Sequence, residues 1–399
     1  MQIFVINCGS SSIKYQLIAM PEAKLVCSGL VERIGTDESV LKHKVFKDND
    51  EFVQVKQTGN VDHGGALAAV VEIMMDKVNG VITSADEIHA VGHRVLHGGK
   101  AFFKTIQVSE AVKAQIETLY PLGPLHLPAN LTGIQVAEKL FPSSAQVAVF
   151  DTAFHQTMPP VAYRYAISND YYEKNDVRVY GFHGTSHKYV SARAADYLRN
   201  PEAKIITIHL GNGCSMAAVN AGNCLDTSMG LGPLSGLIMG TRCGDIDASV
   251  VFHLMETYGF SIPEMQTLLN KKSGMLGLCG FSDMRDVKAA IKDGDEAAKL
   301  AYEMYAYRIK KYIGSYAAIL NGLDAIVFTG GIGENDGAMR ALSVKNLEFF
   351  GITYNENTAV ISVDGITEYQ NAGARVKVLV VPTNEELQIA KECYDLINL

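Results

Sequence analysis

The chain is expected to fold as an α/β protein of two domains built on one plan, and three observations lead there. Its 399 residues exceed the roughly 250–300 at which a single core stops growing. Short apolar runs suited to buried strands alternate with segments whose apolar residues recur at three- and four-residue steps, the interleaving of α/β organisation. Residues 205–212 also align without a gap on residues 3–10, with His209 in the place of Asn7 and Gly211 in the place of Gly9. That match reads as an internal duplication in which a strand–turn–strand opens each domain.

The first of these units spans residues 2–14. Residues 3–6 are a continuous apolar run, Asn7 follows, residues 9–12 read Gly-Ser-Ser-Ser, and 13–18 is a second strand-like run. Gly9 allows a turn, and Ser10, Ser11 and Ser12 gather hydroxyls and amides at one point. Lys14 adds a cation, and donors beside a cation are what a phosphate group needs. A plain serine-rich hairpin has the same composition. Residues 42–56 alternate and are charged, an exposed antiparallel strand. Residues 66–78 have helical spacing, 88–93 is a short strand, and 110–119 and 129–140 are helices, the second entered after Pro128. Residues 146–150 form a buried-type strand ending at Asp151.

In the second half, 204–220 repeats the strand, glycine turn and strand. Residues 246–258 and 263–270 read as helices. The long helix 296–320 carries Tyr302, Tyr305, Ile309, Tyr312, Ile313 and Tyr316 on one face, a stripe that suits core or subunit contact better than a cofactor site. Strand 325–328 runs into Thr-Gly-Gly-Ile-Gly-Glu-Asn and a helix. Strand 376–381 is the last, and Pro382 leads to a terminal helix with Thr383 as cap and Glu385 and Glu386 in its first turn.

Composition narrows the function. A net charge of −8 without a basic block argues against nucleic acid as partner, while a few buried cations still allow anionic small substrates. No run approaches the roughly 18 apolar residues of a membrane span, and no basic segment with a long apolar run opens the chain, so no signal peptide is expected. The 7 cysteines are scattered without a C-x-x-C pair, which suits reduced thiols in the cytoplasm rather than disulfides or zinc.

Three glycine-rich strand-end turns, at 9–12, 211–213 and 330–333, match neither a P-loop nor a dinucleotide fingerprint. Together they suggest a nucleotide gripped between two lobes. Arg94, in Gly92-His93-Arg94, and Arg242, in Met-Gly-Thr-Arg-Cys-Gly-Asp, sit among glycines, where a guanidinium suits a carboxylate or phosphoryl group. Asp151 and Glu385 each follow a strand, where ligands of α/β sheets gather. With Asn7 they could hold Mg²⁺, which takes oxygen ligands and keeps several waters. His183 and His187 lack acidic or cysteine companions for zinc, so a hydrogen-bonding role is expected.

These motifs closely resemble the acetate and propionate kinase family of the sugar kinase–actin–chaperone superfamily, over essentially the whole chain. The most specific are Asn7-Cys8-Gly9-Ser10-Ser11-Ser12-Ile13-Lys14 and His209-Leu210-Gly211-Asn212-Gly213-Cys214-Ser215. Also family-like are Gly92-His93-Arg94, Phe150-Asp151-Thr152, Phe182-His183-Gly184-Thr185, Gly240-Thr241-Arg242, Thr329-Gly330-Gly331-Ile332-Gly333-Glu334-Asn335 and Pro382-Thr383-Asn384-Glu385. The resemblance implies two duplicated actin-like, ribonuclease H-like domains with a nucleotide cleft between them. They would span 1–151, with helix 386–399 packing back on it, and 152–385. It implies a reversible reaction of ATP and acetate giving ADP and acetyl phosphate, with Mg²⁺ or Mn²⁺, in a cytoplasmic homodimer without nucleic acid or membrane partners.

Carried over by position, Asn7 and Glu385 would serve the metal. The nucleotide would be met by Ser12, Lys14, His209, Leu210, Gly211, Asn212, Gly213, Asp283, Met284, Arg285, Gly331, Ile332, Gly333, Glu334 and Asn335. Arg94 would hold the acetate carboxylate, and Leu96, Leu125, Phe182 and Pro233 would line its methyl pocket. Arg242 and His183 would stabilise the transferring phosphoryl group, and Asp151 is the family's proposed acid/base. A carboxylic acid titrates near pH 4 and needs no base at pH 7, so Asp151 is expected instead to position the metal or its waters and to orient an arginine. Acetate kinases of the family usually carry Val at Leu96 and Asn at Leu127, and the bulkier Leu96 should shrink the pocket. A propionate or butyrate kinase is the nearest alternative. An ATP-binding actin-like protein without transfer activity is the more distant one.

Overall fold

The computed structural model describes every residue except Asp48, Asn49, Leu125, Val363, Asp364 and Leu399, and leaves the side chain of Thr358 undescribed. It divides into two compact units, Met1–Ala153 with Asn384–Leu399, and Phe154–Thr383. Unit 2 is thus one continuous insertion into unit 1. Glu385, assigned from sequence to the second domain, lies in unit 1.

The sheet of unit 1 is made of β1 (Gln2–Cys8), β2 (Ser12–Ala19), β3 (Lys24–Glu32), β4 (Val40–Lys47), β5 (Asp50–Gln57), β6 (Ile88–Val95), β7 (Ile106–Gln107) and β8 (Ala145–Phe150), in the order β5-β4-β3-β2-β1-β6-β8-β7. β1 runs antiparallel to β2 and parallel to β6, which is parallel to β8. Both faces of β1 are covered. Phe4 and Ile6 pack with Tyr15, Leu67, Val70 and Ala137, which brings in the helices His63–Met74 and Leu127–Leu140. Ile3 and Val5 pack with Ile389, Ala390 and Cys393 of the helix Glu385–Ile397. Burial on two faces is why the run lacks polar alternation. Gly92 lies under that last helix: a Cβ there would stand 2.7 Å from Ile389 Cγ2 and 2.8 Å from Cys393 Sγ.

Some elements differ from the sequence reading. Residues 42–56 are not one strand but parts of two, β4 and β5, paired from Val40↔Gln57 to Lys47↔Asp50. The period of two continues across the reversal and hides it. The helix expected over 66–78 is His63–Met74, entered from Asp62. It ends early because Asp76 Oδ1 accepts the amides of Val78 (2.9 Å) and Asn79 (2.8 Å), an Asx turn that draws the backbone away. The cap of the last helix is Asn384, whose Oδ1 accepts from Leu387 N (3.0 Å), and not Thr383.

Unit 2 has β9 (Lys204–Leu210), β10 (Cys214–Asn220), β11 (Asn223–Thr227), β12 (Ala325–Thr329), β13 (Val360–Ile361), β14 (Thr367–Glu368) and β15 (Lys377–Val380), in the order β11-β10-β9-β12-β15-β14-β13. β9 is antiparallel to β10 and parallel to β12, which is parallel to β15. An antiparallel three-strand meander followed by two parallel strands is the plan of β3-β2-β1-β6-β8 as well. The alignment of 205–212 on 3–10 therefore marks a repeated topology. In the helix Glu296–Leu320 the side chains of Tyr302, Tyr305, Ile309, Ile313 and Tyr316 are buried, so the aromatic stripe is core of unit 2. The glycine segment after β12 is a short helix, Gly330–Asn335, rather than a loop. No helix among the described residues is long and apolar enough to cross a membrane.

Candidate active site

In unit 1 the candidate groups gather at the carboxyl ends of β1, β6 and β8, three adjacent parallel strands, where α/β sheets present their ligands. The register places Ile6 beside His93 and Arg94 beside Val149, so Asn7, Arg94 and Asp151 each emerge at the same edge. Asp151 is 1% exposed and takes Arg94 in a fork: Nε donates to Oδ1 (2.9 Å) and Nη2 to Oδ2 (2.7 Å). The third guanidinium nitrogen, Nη1, lies 3.0 Å from Glu385 Oε2. Burial works against the Arg94 charge, but Asp151 and then Glu385 outweigh it and push its pKa above the usual arginine value. The first turn of the terminal helix thus delivers Glu385 to Arg94 and also Glu386 to Lys14, at 2.5 Å.

Buried Asn130 ties this edge together, donating to Cys8 O (2.8 Å) and accepting from Leu96 N (3.0 Å). Leu96 is half-buried. Leu125, expected beside it, lies outside the described residues. Gly9 closes its turn by donating to Ser12 O (2.8 Å). Its φ is not left-handed. What glycine permits there is closeness, since a Cβ would meet Ser12 Oγ at 3.2 Å.

In unit 2 a second group forms where β9 turns into β10. His183 precedes the helix Gly184–Leu198 with φ at 55°, a left-handed backbone that costs a non-glycine residue on the order of 1–3 kcal/mol. His155 Nε2 hydrogen-bonds to the carbonyl of Phe182 (3.0 Å) just before it. The His183 ring stacks on His209 with centroids 4.5 Å apart and reaches Ser215 Oγ through Nδ1 at 2.8 Å. His209 Nδ1 in turn lies 2.8 Å from Ser186 Oγ. Arg242 Nη1 donates to Pro233 O (2.6 Å). A Cβ on Gly213 would stand 3.1 Å from Arg242 Nη2 and 3.4 Å from His183 Cε1, so the glycine lets both side chains reach the turn. Gly213→Ala is expected to lower turnover about tenfold, since small displacements of a positioned group cost that much or more, while a thermal melt stays near wild type.

Beside this turn lies a cavity of about 670 Å³, within the range of small-molecule sites. Gly211, Asn212, Asp283, Met284, Arg285, Gly331, Ile332 and Asn335 line it. Asp283 caps the helix Met284–Lys292 through Arg285 N (2.8 Å) and grips the Arg285 guanidinium. That side-chain contact and the amide hold its pKa at about 2. Gly331 has open space where a Cβ would point, whereas Gly330 (φ +77°) sits against the backbone of Leu210.

Other expected residues face elsewhere. Glu334 turns back, its Oε1 accepting from Gly330 N (3.0 Å) and Thr383 N (3.2 Å), and Leu210 is buried in the core. Neither lines the cavity, nor do His209, Gly213 and Gly333. Ser282, Lys288 and Asp336 do line it and were missed. The signal for Lys288 was present, one helical turn beyond Met284. Lys288 Nζ pairs with Asp336 Oδ1 at 3.1 Å.

Residues 2–391 match the family model described as Acetokinase family. The chain belongs to the acetokinase family. The curated acetate kinase of Nitratidesulfovibrio vulgaris (strain DSM 19637 / Miyazaki F) is 51% identical over 401 residues, covering 100% of this chain and 99% of the other. That of Thermotoga maritima is 52% identical over 405 residues, again covering 100% and 99%. Among solved structures, Porphyromonas gingivalis acetate kinase superposes with a TM-score of 0.91 at 44% identity, covering 99% of each chain. A propionate kinase from Francisella tularensis gives 0.89 at 40% identity, covering 98% of each. The fold of the chain is accordingly the α/β fold of those kinases, with two actin-like domains.

Proposed function

We propose that the chain transfers the γ-phosphoryl group of ATP to the carboxylate of acetate, reversibly and by direct in-line displacement, giving acetyl phosphate and ADP. The observation that carries this reading is the full-length match to curated acetate kinases at about half identity. The reaction needs little covalent help from protein. Acetate is already ionised at pH 7, and the transition state is loose, with charge spread over the equatorial oxygens of the transferring group. Positioning and cationic donors do the catalysis.

Each side chain then has a task. Arg94, held in place by Asp151 and Glu385, binds the acetate carboxylate, and Leu96, Phe182 and Pro233 are assigned to its methyl group. Arg242 and His183 donate to the phosphoryl oxygens. The cavity beside residues 211–213 takes the nucleoside, with Asp283, Arg285, Gly331, Ile332 and Asn335 at its wall, and Ser12 and Lys14 meet the phosphate end. The oxygens of Asn7 and Glu385 suit a hard divalent cation that keeps waters and phosphate oxygens as its other ligands. Mg²⁺, or Mn²⁺ in its place, would neutralise phosphate charge. The enzyme works in the cytoplasm as a homodimer.

A second reading, a kinase for propionate, is favoured by the likeness to the Francisella propionate kinase. The half-buried Leu96 weighs against it, because one methylene is worth about 1–3 kcal/mol of discrimination. One assay separates the two: trapping of acyl phosphate by hydroxylamine with ATP, Mg²⁺ and formate, acetate, propionate or butyrate. The expected order of kcat/KM is acetate over propionate over butyrate. Equal efficiency with propionate would move the assignment to the second reading, and ATP hydrolysis without acyl phosphate would defeat both.

A further inference from the structure

We propose that Arg340 is a positioning residue for the nucleotide. It keeps the short helix Gly330–Asn335, whose Gly331, Ile332 and Asn335 wall the cavity, in its ordered form. Tyr354 and Glu356 brace Arg340 in turn. That a nucleotide occupies the cavity rests on the acetate kinase reading; the bracing of the helix does not.

The helix cannot hold itself. It has 6 residues, three of them glycine, and glycine is the poorest helix former after proline. A helix well short of about 12 residues is marginal in water whatever its sequence. Side chains therefore close both ends. At the start, Glu334 Oε1 accepts from Gly330 N (3.0 Å). At the finish, the carbonyls of Gly333 and Glu334 find no amide within the helix, and Arg340 Nη1 donates to both, at 2.9 Å each. A cation at that end also suits the helix dipole. Arg340 comes from the next helix, Gly337–Val344, and lies outside the lining of the cavity.

Arg340 is itself fixed. It is 2% exposed, and its guanidinium lies over the Tyr369 ring, 4.5 Å from the centroid. Tyr369 N donates to Val378 O (2.9 Å) on β15, the strand beside β12. Arg340 Nε donates to Tyr354 Oη and Nη2 to Glu356 Oε1, both at 3.3 Å, and the Tyr354 hydroxyl donates to Glu356 as well. A Cβ on Gly337 would overlap Glu356 Oε1, so glycine at the start of that helix is what admits the carboxylate. The short helix grows from β12, and its finish is tied through Arg340 and Tyr369 to β15, so both ends refer to one sheet. Without the guanidinium the two carbonyls must turn to water and the last turn frays. A cavity wall that is ordered a tenth of the time weakens the apparent affinity about tenfold.

The test is Arg340→Met in the full chain, which keeps an unbranched apolar stem and removes the donors. The KM for ATP and for ADP should rise about tenfold, while kcat and the KM for acetate and acetyl phosphate stay near wild type. In the free protein, amide hydrogen exchange over residues 330–336 should quicken about tenfold, with β12 and β15 unchanged. Adding Gly333→Ala should win back about four- to fivefold of the nucleotide KM, the worth of one alanine for glycine in a helix, since its Cβ would meet no atom closer than 3.5 Å. Glu356→Gln, at an exposed carboxylate that can be altered without disturbing the fold, should raise the nucleotide KM about twofold. Equal losses for nucleotide and acyl substrates, or unchanged exchange over 330–336, would make Arg340 a packing residue and overturn the proposal. Should the wild type form no acyl phosphate and bind no ADP in calorimetry, the acetate kinase reading fails, while the exchange rates still decide whether Arg340 holds the helix.

Discussion

Arg242→Ala is expected to lower kcat by on the order of 10²–10³ with little change in the acetate KM, the cost of removing one donor aimed at charge that develops in the transition state. Arg94→Ala is expected to do the reverse, raising the acetate KM about 10- to 100-fold, in line with ~1.5–3 kcal/mol for a charged hydrogen bond, with a smaller effect on kcat. The environments of the two guanidiniums give the reason. Arg94 spends two nitrogens on Asp151 and one on Glu385, so its charge is largely compensated before any substrate comes, which suits the fixed carboxylate socket of the proposed function. Among the described residues Arg242 pairs with no carboxylate; its Nη1 donates to the carbonyl of Pro233, and burial pulls its pKa down. A guanidinium held by a neutral acceptor in a desolvated setting gains most from an arriving phosphoryl anion. Steady-state kinetics in both directions decide the matter, and exchanged phenotypes would exchange the roles.

Asp151→Asn is expected to cost at least a comparable factor in kcat while the shape of the pH–rate profile stays as in the wild type. The amide keeps one acceptor oxygen but turns an N–H₂ toward the guanidinium, so the fork to Arg94 is broken and Arg94 swings toward Glu385. Breaking a buried pair costs about 3–5 kcal/mol when the survivor has no other partner; here Glu385 remains, at 3.0 Å, so the melting temperature should fall only modestly. A lost basic limb in the profile, rather than a uniform drop, would assign Asp151 the role of a base after all.

Much of this was legible in the chain. The duplicated strand–turn–strand needed only the pattern of residues 3–10 and 205–212, because strands covered on both faces must be apolar without interruption. Arg94, Asp151 and Glu385 could each be picked out as charged residues at strand or helix ends. Their mutual pairing could not, since it depends on which strands are neighbours and on a helix some 230 residues further on. What Gly92 makes room for could not be read either: it admits Ile389 and Cys393 of that helix. Glu334 sat in a glycine motif that suggested a nucleotide, yet its carboxylate serves the backbone of its own helix.

The insertion of unit 2 into unit 1 has a consequence for how the protein is made. Residues 154–383 emerge from the ribosome and can reach their own fold before the helix that covers Ile3, Val5 and Val149 exists. Until that helix emerges, one face of the first sheet stays bare, and Arg94 has Asp151 but lacks Glu385. The nascent chain therefore passes through a long interval with a finished second unit and an unfinished first one. During that interval it is exposed to wrong partners and has no complete carboxylate socket. Acquisition of activity should coincide with emergence of the helix Glu385–Ile397 rather than with completion of either sheet.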